Sequence, residues 1–399
     1  MSDWLLRLLE DELARRRDSS SCRVLADCER CSPTHVRIDG RDCVNFSSND
    51  YLGLATHPKM IRAASLAAQT YGVGAGASPL ICGHTPVHTA AERALAGWKG
   101  TQAALLLPSG YQTAHAVVQT LAALRGSMQG GVRFLVDKLA HASLIDAVGG
   151  SGAAFRIFPH NQLEKLGRLL RTAPTQQLQI VVTESIFSMD GDAADLAGLL
   201  ELRRKRPFVL VLDEAHASGV YGPAGAGYAA ELGLQDEVDV TIVTLSKALG
   251  ISGGAICASR AFCEAVVNFG RAYIYSTAVS PVIAAVIPQA LTILREEPHR
   301  QHRVRELARR VRMHTPSSLP AAPADSPIVP FLLGSDRDAL AAAAFLRQKG
   351  LLAWAIRPPT VPRGTSRLRI TLSAEHTDEE VSQLLEGLNQ LTAQQERPD

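Results

Sequence analysis

No stretch of about 18 consecutive apolar residues occurs in this 399-residue sequence, which argues against a membrane-spanning helix. The most apolar tract, Ala278 to Leu294, is interrupted by Pro281 and Pro288. An excess of one charge is missing too. Lys and Arg number 41 against 39 Asp and Glu, and a net charge of +2 gives no broad field to draw in nucleic acid or a membrane surface. Any anion must be caught locally. The chain contains no Gly-Lys pair, so Asp213-Glu214-Ala215-His216, whose letters spell a helicase box, has no GxxxxGK[ST] loop to serve. No serine is set in a strand-to-helix elbow of the GxSxG kind, which removes the hydrolase reading. Cys28 and Cys31 form a CxxC, and with no second CxxC or HxxxH read after it to complete a zinc site, no metal is expected. Seven cysteines, an odd number behind an N-terminus without secretory character, read as reduced thiols of a cytoplasmic protein. With 46% hydrophobic and 20% charged residues, disorder and coiled coil are excluded as well.

What is present is an alternation. Leu5, Leu9 and Leu13 predict an amphipathic helix over 1–17, and the acids Asp3, Glu10, Asp11 and Glu12 within it argue against a transit peptide. From about 100 to 260, short apolar runs recur between helical patterns: 103–107, 134–136, 180–183, 208–212, 240–245 and 255–258. Such runs suit a mostly parallel sheet covered by helices on both faces, the α/β class. Beyond about 290 the pattern becomes a strand at 328–333, a helix at 337–349, strands around 351–356 and 366–372, and a closing helix from Thr377. The expected organisation is an N-terminal helix and arm over 1–55, a large domain over 56–290 and a small α/β domain over 291–399. Gly72 to Ala77 matches GxGxxA, but a helical pattern precedes it where a dinucleotide site needs a strand.

In open parallel sheets ligands bind beyond the carboxyl ends of the strands, where loops and helix N-termini present unpaired N–H groups. Those ends carry Ser109-Gly110-Tyr111, Asp137 with His141, Glu184 with Ser188, Asp213 with His216, and Thr244 with Lys247. Lysine is scarce, at seven of the 41 basic residues. Six lie among charges or in surface-like helical patterns. Lys247 lies instead in an uncharged stretch, apolar before it and rich in Gly and Ser after it. Desolvation there would favour the free amine, a nucleophile for a carbonyl. Asp213, at the end of a buried strand, needs a cationic or proton-donating partner. Pyridoxal phosphate answers both needs, with an aldehyde for the lysine and a ring nitrogen for the carboxylate. The helix start at Gly110 and the hydroxyls of Thr244 and Ser246 would cradle its phosphate.

These residues resemble the fold-type I pyridoxal phosphate enzymes and, among them, the α-oxoamine synthases. The similarity runs over nearly the whole chain and includes Asn45 to Leu54, His141-Ala142-Ser143, Thr183 to Asp192, Asp213 to His216, the Lys247 segment and Ala355 to Arg369. It implies a decarboxylative condensation of an amino acid with an acyl thioester, and the 355–369 stretch is most similar to members that join L-alanine to a pimeloyl thioester. Carried over, Lys247 would hold the cofactor and move the α-proton, Asp213 would pair with the ring nitrogen, and His141 would stack on the ring. His216 and Ser188 would approach the ring hydroxyl, with Gly110, Tyr111 and Thr244 around the cofactor and its phosphate. Arg369 would bind the amino acid carboxylate, and Arg23, Asn49 and Thr360 would contact substrate. The family's homodimeric active site would bring Ser276 and Thr277 to the partner's phosphate. The acyl donor would ride on coenzyme A or an acyl carrier protein. A sister synthase using glycine or serine with another acyl-CoA, and a non-catalytic partner subunit, stand as rivals. Two departures from the family pattern are Glu214, where a second Asp is common, and Pro79 after Ser78.

Overall fold

The computed structural model describes residues 3–18, 22–315, 323 and 325–395. Its centre is a seven-stranded sheet in the order Ala103–Leu107, Gly254–Ala258, Val240–Thr244, Val209–Asp213, Leu178–Glu184, Val132–Asp137, Ala154–Phe158. All neighbours are parallel except Gly254–Ala258, which is antiparallel to both of its own. The physical reason is the link: Leu245–Gly253 is too short for the crossover that a parallel pair requires. Five of the six expected apolar runs are interior strands buried almost throughout, and Ala103–Leu107 is likewise buried although it closes one edge. The other edge, Ala154–Phe158, is a strand that composition does not announce. Only Phe158 is buried, and Arg156 interrupts its apolar residues. The fold class is α/β, as expected.

Helices pack on both faces. Among them Pro281–Glu296 runs through Pro288, so the prolines do not break this tract. Pro281 takes the first helical turn, where its missing N–H costs nothing, and the helix buries Ala284, Ile287, Leu291 and Leu294. Among the described residues no helix is long and apolar enough to cross a membrane. The N-terminal helix, Asp3–Asp18, buries none of its residues; Met1 and Ser2 lie outside the described residues.

The C-terminal part carries a three-stranded antiparallel sheet of Ile328–Gly334, Ser366–Thr371 and Trp354–Ile356, backed by helices Asp336–Gln348 and His299–Met313, with the closing helix Asp378–Gln395 against the latter. The expected strand around 351–356 is divided between two sheets. Leu351–Leu352 pairs in parallel with Arg41–Asn45, extending the Cys28–Arg30, His35–Ile38 hairpin of the arm. This junction leads the chain directly into the turn 46–51. Asp50 fixes that turn by accepting from the N–H groups of Leu54 and Ala55 at 2.9 and 3.1 Å.

Candidate active site

The sheet delivers its polar residues to one end. Asp213 and Glu184 are register partners at the termini of adjacent strands, and both are buried. Lys247 follows the next strand, and His216 stands one turn beyond Asp213. Lys247 Nζ donates to His216 Nε2 at 2.9 Å. Burial pushes the Lys247 amine down to about 8, against the opposing pull of Asp213 and Glu184. Burial raises the Asp213 carboxyl, with Lys247 drawing it back. Glu184 is held well above the ordinary carboxylate range by burial and by the neighbouring charge of Asp213. Its Oε1 has no hydrogen-bond partner. Two adjacent buried carboxyls disfavour each other's charge, and of the two Glu184 is displaced further upward.

A chain of hydrogen bonds leads from the lysine to the small domain. Tyr51 Oη lies 2.7 Å from His216 Nδ1 and donates to Asn49 Oδ1 at 3.3 Å. Asn49 Oδ1 also accepts from Arg369 Nη1 at 3.1 Å, and Arg369 Nε donates to the Ser188 carbonyl at 2.6 Å. With the Tyr51 proton given to Asn49, the His216 tautomer consistent with the chain is the one whose Nδ1–H donates to Tyr51 Oη and whose Nε2 accepts from Lys247. Burial, reinforced by the positive charges of Lys247 and Arg369, holds His216 well below its ordinary value and therefore neutral. Tyr51 and Glu184 are the members of this site that residue-by-residue reasoning did not assign a role, although both fall inside the stretches singled out above.

Gly110 opens the helix Gly110–Ala123, capped by Ser109, whose hydroxyl accepts from Gln112 N at 3.2 Å. A Cβ on Gly110 would stand 2.3 Å from Thr244 Oγ1, so only glycine allows this helix start to meet the strand end. Tyr111 is exposed and donates to Asp146 at 3.1 Å. Ser276 is half-buried and accepts from Gln112 Nε2 at 3.0 Å, on the outer side of the same helix start, with exposed Thr277 beside it. His141 caps the helix Ala142–Gly150 through Nδ1, which accepts from Ser143 N at 3.2 Å, while the residue stays exposed. Burial of its polar atoms lowers its pKa.

Beyond His141 lies a cavity of about 550 Å³ lined by Arg23, Lys138, Leu139, Ile145, Phe187, Ser188, Met189, Thr360, Val361 and Arg367, among others. Arg23 and Thr360 are therefore at its mouth, and Ser188 is buried at its inner side. Arg367 and Arg369 alternate along one strand, and neither faces solvent. Arg367 is bound to Asp190 and to the Thr365 carbonyl, which leaves Arg369 nearer the lysine.

Three features differ from the sequence expectation. Lys99 is not a surface lysine: it is buried, with Nζ 2.7 Å from Glu214 Oε2 and 2.8 Å from Ser218 Oγ. Gly250-Ile251-Ser252-Gly253-Gly254 does match the letters of GxSxG, but it precedes a strand and does not join a strand to a helix. His84 and His88 have the HxxxH spacing of a zinc pair, yet His84 meets Glu92 at 2.9 Å and His88 the Val279 carbonyl at 2.7 Å. Among the described residues no group of three His, Cys, Asp or Glu could hold a metal ion.

The profile of the aminotransferase class I and II family matches residues 41–388. An 8-amino-7-oxononanoate synthase of Stutzerimonas stutzeri is 41% identical over 384 residues, covering 95% of each chain. That of Cellvibrio japonicus is 42% identical over 393 residues, covering 98% of this chain and 97% of its own. Among solved structures, a serine palmitoyltransferase from S. paucimobilis with bound pyridoxal phosphate and myriocin superposes with a TM-score of 0.89 at 27% identity, over 97% of both chains.

Proposed function

The chain belongs to the aminotransferase class I and II family, and from that premise and the geometry above we propose that it condenses L-alanine with a pimeloyl thioester to 8-amino-7-oxononanoate, in the service of biotin formation. A carbon–carbon bond forms between the alanine Cα and the thioester carbonyl, the thiol carrier leaves, and the alanine carboxyl departs as carbon dioxide. Pyridoxal phosphate, when bound, supplies the electron sink that makes removal of an α-proton feasible at neutral pH.

The residues present fit that cofactor. Asp213 would take the ring nitrogen and Lys247 the aldehyde, the close approach of the Gly110 helix start to Thr244 would set backbone N–H groups and a hydroxyl around the phosphate, and His141 would offer a ring face. Ser276 and Thr277, on the outside of the same cradle, suit contact with a second copy across a homodimer. Arg369 is oriented by the Ser188 carbonyl and Asn49, and its guanidinium can grip the alanine carboxylate with two parallel hydrogen bonds. That grip would set the bond to be broken and place the Cα hydrogen toward Lys247. With its pKa near 8, Nζ of Lys247 is a base matched to neutral or slightly alkaline pH. His216 receives one Nζ hydrogen bond and so aims the amine. The pimeloyl methylenes would lie against Leu139, Ile145, Phe187 and Met189, and the chain's terminal carboxylate would meet Arg23 or Lys138 at the mouth.

The observation that carries this reading is the desolvated amine of half-buried Lys247, bonded to His216 and drawn by the charges of Asp213 and Glu184. The purified holoenzyme should absorb near about 420 nm, and Lys247→Ala should abolish that band after dialysis. Carbon dioxide and thiol release should be greatest for alanine with pimeloyl donors, when alanine, glycine and serine are crossed with pimeloyl, acetyl, succinyl and palmitoyl thioesters on coenzyme A and on carrier protein. Activity confined to glycine with the succinyl donor would reject it.

A further inference from the structure

The edge strand Ala154–Phe158 runs into Pro159-His160-Asn161, which has no part in the arrangement just described. His160 is nevertheless bound on both sides: Nδ1 donates to Asp137 Oδ1 at 2.9 Å and Nε2 to Asp192 Oδ2 at 2.6 Å. Both carboxylates are buried, and the ring meets Phe187 edge-on with centroids 4.3 Å apart. Only an imidazolium can donate from both nitrogens. Burial opposes that charge, but the two carboxylates hold the ring protonated to about 9. The charged groups that face it are Asp137 from the end of Val132–Asp137 and Asp192 from the 185–194 turn. Asn161 Nδ2 donates a hydrogen bond to the Ala193 carbonyl at 2.9 Å.

Each acid organises one wall of the cavity. Asp137 accepts from Leu139 N at 2.8 Å and Asn161 N at 3.1 Å, shaping the turn through Lys138, Leu139 and Ala140 into His141. Asp192 closes the turn that carries Ser188, Met189 and Asp190, where Phe187 N donates to the Asp192 carbonyl at 2.8 Å. Among the described residues the only ion pairs that join those two turns are those of His160, with neutral Asn161 beside it spanning from Asp137 to Asp192 at 3.4 Å.

We propose that His160 is a positioning residue: clamped between Asp137 and Asp192, it locks the turn presenting His141 to the turn presenting Ser188 and so fixes the two walls of the acyl cavity against each other. The consequence for substrate rests on the acyl reading of that cavity; the clamp itself does not.

The test uses the full chain and hydrogen exchange read by mass spectrometry, with His160→Gln and Asp192→Asn beside the natural protein. In His160→Gln, segments 138–143 and 186–194 should exchange together, faster by about tenfold or more, while the Val209–Asp213 strand is unchanged. Asp192→Asn should loosen 186–194 alone, because Asp137 still holds His160. The clamp is fully present below the ordinary histidine value of 6.5 and is lost as pH rises through about 9, so in the natural protein the same two segments should loosen across that window once intrinsic rates are removed. In His160→Gln that pH dependence should vanish. In the assay, His160→Gln should raise KM for the pimeloyl thioester by about tenfold and lower kcat less. Exchange unaltered in both segments, or raised evenly along the chain, overturns the clamp. Segment-specific exchange with an unchanged KM upholds the clamp and counts against the acyl reading of the cavity.

Discussion

Replacing Lys99 by methionine keeps the side chain's length and apolar stem and deletes its charge. Lys99 Nζ donates to Glu214 Oε2, Ser218 Oγ and the Ala226 carbonyl, and its side chain is 3% exposed against 2% for Glu214. Removing one partner of such a pair leaves a buried carboxylate without compensation, a loss of about 3–5 kcal/mol. Glu214 Oε1 still accepts from Ala229 N at 2.9 Å, which favours the lower half of that range. Lys99→Met should therefore destabilise the protein by about 3–4 kcal/mol. Urea unfolding measures this directly, as a shift in midpoint at unchanged slope. Trp98, over which Lys99 Nζ sits 4.7 Å from the ring centroid, reports locally by fluorescence. Because Glu214 directly follows Asp213, the same loss should weaken retention of the cofactor. Adding Glu214→Gln removes the stranded charge, so the double variant should be more stable than the sum of the single losses by about 2 kcal/mol. A single-variant cost below about 1 kcal/mol, or strict additivity in the double variant, would refute the reasoning.

Gly110→Ala should lower affinity for pyridoxal phosphate by at least about tenfold in fluorescence titration of the apoprotein, because its Cβ would collide with Thr244 Oγ1. With pyridoxal lacking phosphate as the probe, adduct formation at Lys247 should reach its half-maximum near pH 8, since the free amine accumulates above the depressed pKa; a half-maximum near 10.5 would contradict the desolvated lysine. Arg369→Lys loses the forked grip and both anchoring bonds, and KM for alanine should rise about tenfold to hundredfold with little change in KM for the thioester. Tyr51→Phe breaks the link between Asn49 and His216, and kcat should fall about tenfold while the far-ultraviolet spectrum is unchanged.

How much was legible in the sequence follows from how local each signal is. Runs such as Val209–Asp213 and Val240–Thr244 read as interior strands because burial on both faces demands uniformly apolar residues. Ala154–Phe158 escaped notice because an edge strand with exposed side chains makes no such demand. The antiparallel direction of Gly254–Ala258 was available in principle from the shortness of the link before it.

Composition and order along the chain were enough to place Lys247 in an uncharged stretch and Asp213 at a strand end, because desolvation and strand termination are properties of contiguous residues. Partnership was not. That Lys99 neutralises Glu214, that Glu184 stands beside Asp213, that Tyr51 links Asn49 to His216, and that His160 joins Asp137 to Asp192 depend on which strands lie side by side and which turns converge at their ends. Electrostatic and hydrogen-bond energies fall off over a few ångströms in space, whatever the separation in sequence, so only the folded arrangement decides them.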